Sequence, residues 1–73
     1  MNNKDRSEYL ISLGNRVRQL REEKGYTQTE FANLIGKDQP SINRMEKGRI
    51  NPSYIYLIEV AEGLEIDIKQ MFK

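Results

Sequence analysis

Two short helical patterns separated by a glycine occupy Thr27 to Gly48, TQTEFANLIGKDQPSINRMEKG, and no other stretch restricts the fold of this chain as strongly. Thr27 followed three places on by Glu30 is a capping box, so a helix is predicted to start at Thr27. Phe31, Ala32 and Ile35 then recur on one helical face. Gly36 is the small residue wanted where a helix ends and the chain turns left-handed. Asp38 is a cap for a second helix, with Gln39 and Pro40 in a first turn where a missing N–H costs little. The apolar stripe of that second helix is only Ile42 and Met45, and Gly48 closes it.

Two helices joined by about a three-residue turn, the second mostly polar, form a helix-turn-helix. In that motif the second helix enters the DNA major groove. The runs TQTEFANLIG, SINRMEKG and NPSYIYLIEVAEGLEID stand in this order and resemble the Xre/Cro helix-turn-helix regulators, which include the lambdoid phage repressors. The likeness extends from Leu13 to Phe72, almost the whole chain. It implies an all-α, five-helix lambda-repressor-like domain. It also implies a dimeric repressor or controller protein that binds a palindromic operator through the third helix.

Seventy-three residues make one domain, near the lower limit for a chain without disulfides or metal. Cysteine and histidine are both absent, which removes Cys/His zinc sites, thiol nucleophiles and imidazole bases together. No cofactor and no metal are expected. The opening MNNKDRSE has no apolar core, so no signal peptide is expected, and no apolar run approaches the roughly 18 residues of a membrane span. A soluble cytoplasmic domain is the expectation. The net charge of +1 is weak support for a nucleic-acid partner. Its distribution is more telling: residues 1–50 carry ten Lys/Arg against seven Asp/Glu, residues 51–73 two against four. The basic part contains the helix-turn-helix, although an ordinary salt-bridged surface would account for the same charges.

Met1 to Ser7 are polar and expected to form a flexible arm. Glu8 to Lys24 reads as a helix with Leu10, Leu13, Val17 and Leu20 facing the core, ended by Lys24-Gly25. Tyr26, just before the Thr27 cap, is placed to staple against Phe31. Ser53 caps a fourth helix to about Glu62, with Tyr54, Leu57, Ala61 and Leu64 as its core stripe and Ile58 and Val60 in support. Asp67 with Gln70 is a second capping box, opening a last helix over Ile68 to Phe72. Ile55, Tyr56 and Ile66 are left as surplus apolar surface, either a contact with a second copy or the partly exposed side chains of a monomer.

Stepping about 100° per residue from Ile42 puts Pro40, Asn43, Arg44 and Lys47 opposite the core, with Gln39 at the helix start. Glutamine and asparagine offer the fork that pairs with adenine, and arginine the fork that pairs with guanine. Gln39, Pro40, Asn43 and Arg44 are therefore the candidate base-contacting residues. Pro40 either presses on a thymine methyl or simply sets the helix start. The resemblance implies further roles. Gln28 would bond a phosphate and brace the third helix, and Lys37, Ser41, Lys47, Arg49 and Asn51 would also touch phosphates. Arg21 and Glu46 would form a salt bridge that positions the third helix. Ile55, Tyr56 and Ile66 would lie at the dimer surface.

An enzyme is not expected. The visible carboxylates Glu22, Glu23, Glu59 and Glu62 sit as exposed helix positions, with no nucleophile–base set or phosphate-cradling loop. A protein-interaction module, such as the antitoxin of a toxin–antitoxin pair, remains the alternative, since fold alone does not exclude it. Toxin or polymerase would then be the protein partner. The polar types at Gln39, Asn43 and Arg44 suit base edges better than a protein interface, which favours aromatic anchors.

Overall fold

The computed structural model describes residues 3–72, and among them the backbone is helical without a strand. The order is α1 (Asn3–Glu23), α2 (Gln28–Leu34), α3 (Gln39–Glu46), α4 (Tyr54–Leu64) and a closing 3-10 segment, Ile68–Phe72. The all-helical expectation holds, but the count of five α-helices does not. Asp67 and Gln70 do not form the reciprocal capping box that a fifth helix would need. Instead the Asp67 carboxylate accepts from the Lys69 amide at 2.9 Å, and the Gln70 amide donates to the Asp67 carbonyl at 2.9 Å. Five residues are too few to offset helix nucleation. The tighter 3-10 winding superposes side chains three apart, which suits a segment that buries Met71 and half-buries Ile68.

α1 also begins earlier than expected. Residues 3–7, read as part of a flexible arm, continue the helix, because no proline or glycine interrupts them. The rest of that arm, Met1 and Asn2, lies outside the described residues.

Every element contributes to one core. α1 gives Val17 and Leu20, α2 Phe31 and Ala32, α3 Ile42 and Met45, α4 Leu57, Val60, Ala61 and Leu64, and the 3-10 segment Met71. Leu13 packs against this cluster partly buried, and Leu10 is half-buried one turn earlier. Tyr54 departs from the predicted stripe. It is the first residue of α4, after the Ser53 cap, and its ring is 67% exposed. Helical phase alone placed it inward, but the core does not reach that turn. α4 runs to Leu64, and Glu65 then takes the left-handed conformation at φ 57°. For a residue with a Cβ that costs about 1–2 kcal/mol.

The C-terminal segment is tied to α1 by the Arg16 guanidinium, which donates from Nε to the Gln70 carbonyl at 2.8 Å. Among the described residues no helix is long and apolar enough to cross a membrane.

Candidate nucleic-acid interface

The helix-turn-helix is set first by local chemistry. Thr27 Oγ1 accepts from the Glu30 amide at 3.0 Å, and the Glu30 carboxylate accepts from the Thr27 amide at 2.9 Å. Those bonds favour the charged carboxylate, so the Glu30 pKa is held below its ordinary value, chiefly by the Thr27 backbone and then by its side chain. The Tyr26 ring sits 5.9 Å from that of Phe31, closing the entry to α2. Gly36 then turns the chain at φ 72°, a conformation open to glycine at little cost. Asp38 Oδ1 accepts from the Ser41 amide at 2.8 Å and starts α3 with Pro40 in its first turn.

Beneath α3 the packing is close. Gly14 of α1 lies against the last turn of α3: a Cβ there would come within 2.5 Å of the Met45 and Glu46 carbonyl oxygens. α1 and α3 meet backbone to backbone, an approach that any side chain at position 14 would wedge apart. A glycine inside a helical run is the one signal in the sequence that could have pointed to this contact.

Behind α3 lies a continuous polar network. Arg21 holds Glu46 through two bonds, Nε to Oε2 at 2.7 Å and Nη2 to Oε1 at 3.0 Å. Both side chains are buried, and Arg21 Nη1 also donates to the Tyr26 carbonyl at 2.6 Å. The hydrogen bond to Glu46 outweighs desolvation and raises the Arg21 pKa above its ordinary value. Gln28 donates from Nε2 to Glu46 Oε1 at 3.0 Å, and its Oε1 accepts from Gln39 Nε2 at 2.8 Å and Asn43 Nδ2 at 3.3 Å. Among the described residues no buried side-chain nitrogen or oxygen lacks a partner. A fully satisfied buried network of this kind rigidifies what it holds.

The structure thus brings Gln28, Gln39 and Asn43 together, the last two half-buried at the edge of α3. Pro40, Arg44 and Lys47 are exposed on α3 or at its end, and Arg49 and Asn51 are exposed in the loop that follows. Besides Gln28, two of the expected phosphate contacts have partners within the fold. Lys37 Nζ pairs with Glu59 at 3.0 Å and lies 4.9 Å from the centre of the Tyr56 ring. Ser41 Oγ meets the Tyr56 hydroxyl at 2.7 Å. Tyr56 therefore braces the turn and α3 rather than standing as surplus surface. Of the other expected dimer residues, Ile55 is 65% exposed, next to exposed Tyr54, while Ile66 packs partly buried against the core.

Asn15 and Arg18 were not singled out by the sequence. With Lys47 and Arg49 they line a cleft between α1 and the end of α3, into which the Arg21–Glu46 pair and Gln28 also open. Arg18 is held 3.4 Å from Glu22, but that pair is more than half exposed and constrains it little.

The fold recurs in known proteins. Residues 17–70 match the HTH_3 helix-turn-helix family. The chain belongs to that family. Over 63 residues it is 33% identical to the control protein C.MunI of a Mycoplasma species, covering 85% of each chain. It is 39% identical over 54 residues to an uncharacterised HTH-type transcriptional regulator, y4dJ, of Sinorhizobium fredii, covering 74% of this chain and 70% of that one. Among solved structures it is similar to the restriction-modification controller protein C.AhdI of Aeromonas hydrophila. There the TM-score is 0.90 at 32% identity, over 93% of this chain and 99% of that one. This HTH_3 protein is a DNA-binding transcriptional regulator of the Xre-like helix-turn-helix kind, a non-enzymatic class.

Proposed function

We propose that the protein is a cytoplasmic homodimer, acting as a repressor or controller protein on a palindromic operator. The α3 helices of two copies would enter major grooves about one helical turn apart. The observation that carries this reading is the outer side of α3. It offers the Arg44 guanidinium and the free ends of two braced amides, Gln39 and Asn43, with Pro40 exposed beside them. These are the residue types that match base edges. Lys47, Arg49 and Asn51, joined by Asn15 and Arg18 across the cleft, form the tract for the phosphate backbone. Gln28 adds its remaining N–H, and Ser41 its hydroxyl. Lys37 reaches a phosphate only by giving up Glu59.

Exposed Ile55, with Tyr54 beside it, is the apolar surface on which a second copy would settle, with Tyr56 and Ile66 at its margin. The likeness to two controller proteins supports the controller reading. An antitoxin whose α3 meets a protein is the alternative, and the scarcity of aromatic anchors on the outer side of α3 speaks against it. Selection from randomised duplex DNA, followed by gel shift at two salt concentrations, tests the proposal. A two-fold symmetric consensus bound less tightly at the higher salt is expected. No selected sequence, or a shift indifferent to salt, would remove it.

A further inference from the structure

Lys37 stands in the turn one residue before the Asp38 cap of α3, so it borders the end of the helix that would enter the groove. Its charge is already engaged inside the fold. We infer that Glu59 competes with the DNA backbone for Lys37, and so holds the affinity of this protein for every duplex below what its basic residues would allow. The inference rests on α3 reading DNA as proposed above.

Glu59 and Tyr56 lie three residues apart on α4, a spacing that puts them on one face. Together they hold Lys37 from two directions. The Glu59 carboxylate meets Nζ at 3.0 Å, and the centre of the Tyr56 ring lies 4.9 Å from it. The lysine side chain is 26% exposed and the glutamate 39%, so water screens this pair less than it screens Arg18 and Glu22, at 60% and 55%. The Tyr56 hydroxyl meets Ser41 Oγ at 2.7 Å, which ties the start of α4 to α3 and keeps Glu59 within reach of the turn.

A carboxylate offers an ammonium the same kind of anionic oxygen that a phosphate does. Any contact between Lys37 and the backbone therefore breaks the bond to Glu59. It also leaves the Glu59 charge unpaired beside an anionic strand. Both costs fall on all sequences alike, because backbone contacts carry no sequence information. Glu59 thus limits the strength of binding and leaves base choice untouched.

Titration of the selected operator with the full chain, over a range of salt concentrations, tests this. Glu59→Gln keeps the shape of the side chain and frees Lys37, so it should bind between about 1.4-fold and about fivefold more tightly. The plot of log affinity against log salt should steepen, by at most about 0.9 for one added phosphate contact. Removing any negative charge near DNA raises affinity somewhat, so two further variants isolate the pair. Glu62→Gln removes an exposed charge one turn further along α4 and should gain less than Glu59→Gln. In a Lys37→Met background, Glu59→Gln should gain no more than Glu62→Gln does, the coupling that a double-mutant cycle shows for residues in contact. Circular dichroism melts check that each variant is folded. An affinity unchanged by Glu59→Gln, an equal gain from Glu62→Gln, or a gain that survives Lys37→Met in full overturns the inference while leaving DNA recognition intact. If the unaltered protein selects no operator, the DNA reading fails and this inference with it.

Discussion

On its inner side α3 meets α1 and α2 through buried Ile42 and Met45, a backbone contact at Gly14 and the Arg21–Glu46–Gln28 network. On its outer side Pro40, Arg44 and Lys47 stand in water. The inner side holds the energy, and in the proposed function the outer side holds the information. Damage on the inner side should therefore cost stability and move the whole helix. Damage outside should change what is bound and leave the fold alone.

The sharpest way to break that contrast is Arg21→Ala, which strands a buried carboxylate. A loss of about 3–5 kcal/mol is expected in urea unfolding, since removing one partner of a buried pair costs far more than the pair itself contributes. That is a large part of the roughly 5–15 kcal/mol that a small domain has. A loss below about 1 kcal/mol, the range of exposed ion pairs, would put Arg21 with the outer side.

Gly14→Ala sets two effects against each other. Helix propensity favours alanine by about 1 kcal/mol. The added Cβ meets the two carbonyl oxygens at 2.5 Å and forces the helices apart, and overpacking of this kind costs about 1–3 kcal/mol. The clash should win, with a lower melting temperature and weaker operator binding. A stabilised variant would mean that α1 and α3 can separate freely.

Arg44→Ala is the outer-side counterpart. It should leave thermal stability within about 0.5 kcal/mol, as surface changes do. Binding should weaken by about 1–3 kcal/mol, with relaxed preference at one base position. An unaltered consensus would show that Arg44 reads nothing.

The smallest effect belongs to Glu30, at the exposed start of α2. Its pKa is lowered in the folded chain, so its contribution is present above the unfolded value of about 4.3 and is lost as pH falls through the lower folded value. Glu30→Gln should therefore flatten the acid limb of a stability–pH curve and leave its neutral shape unchanged. An acid limb as steep as before would assign that dependence to other carboxylates.

The parts that were legible in the sequence are those decided within three or four residues. The Thr27–Glu30 capping box, the Gly36 turn and the Asp38 cap are each decided among near neighbours, and their geometry follows from spacing. Where distant packing decides, spacing misled. Tyr54 had the right phase for the core but lies beyond its edge. Tyr56 looked like surplus surface because Ser41, Lys37 and Glu59 converge around it only in three dimensions. The last five residues of the described chain had an α-helical pattern but settled as a 3-10 segment, because the Asp67 carboxylate turned to Lys69. On the outer side of α3, phase alone separated Pro40, Arg44 and Lys47 from the core. The mutual bonds of Gln39 and Asn43 with Gln28 depend on how α2 crosses α3, which no local pattern states.

The cation clamping α3 is an arginine, and its partner raises its proton affinity further. An imidazole in that seat would let go in mild acid; this chain has no histidine anywhere. No imidazole therefore ties the grip on α3 to the mild acidity at which histidine changes charge.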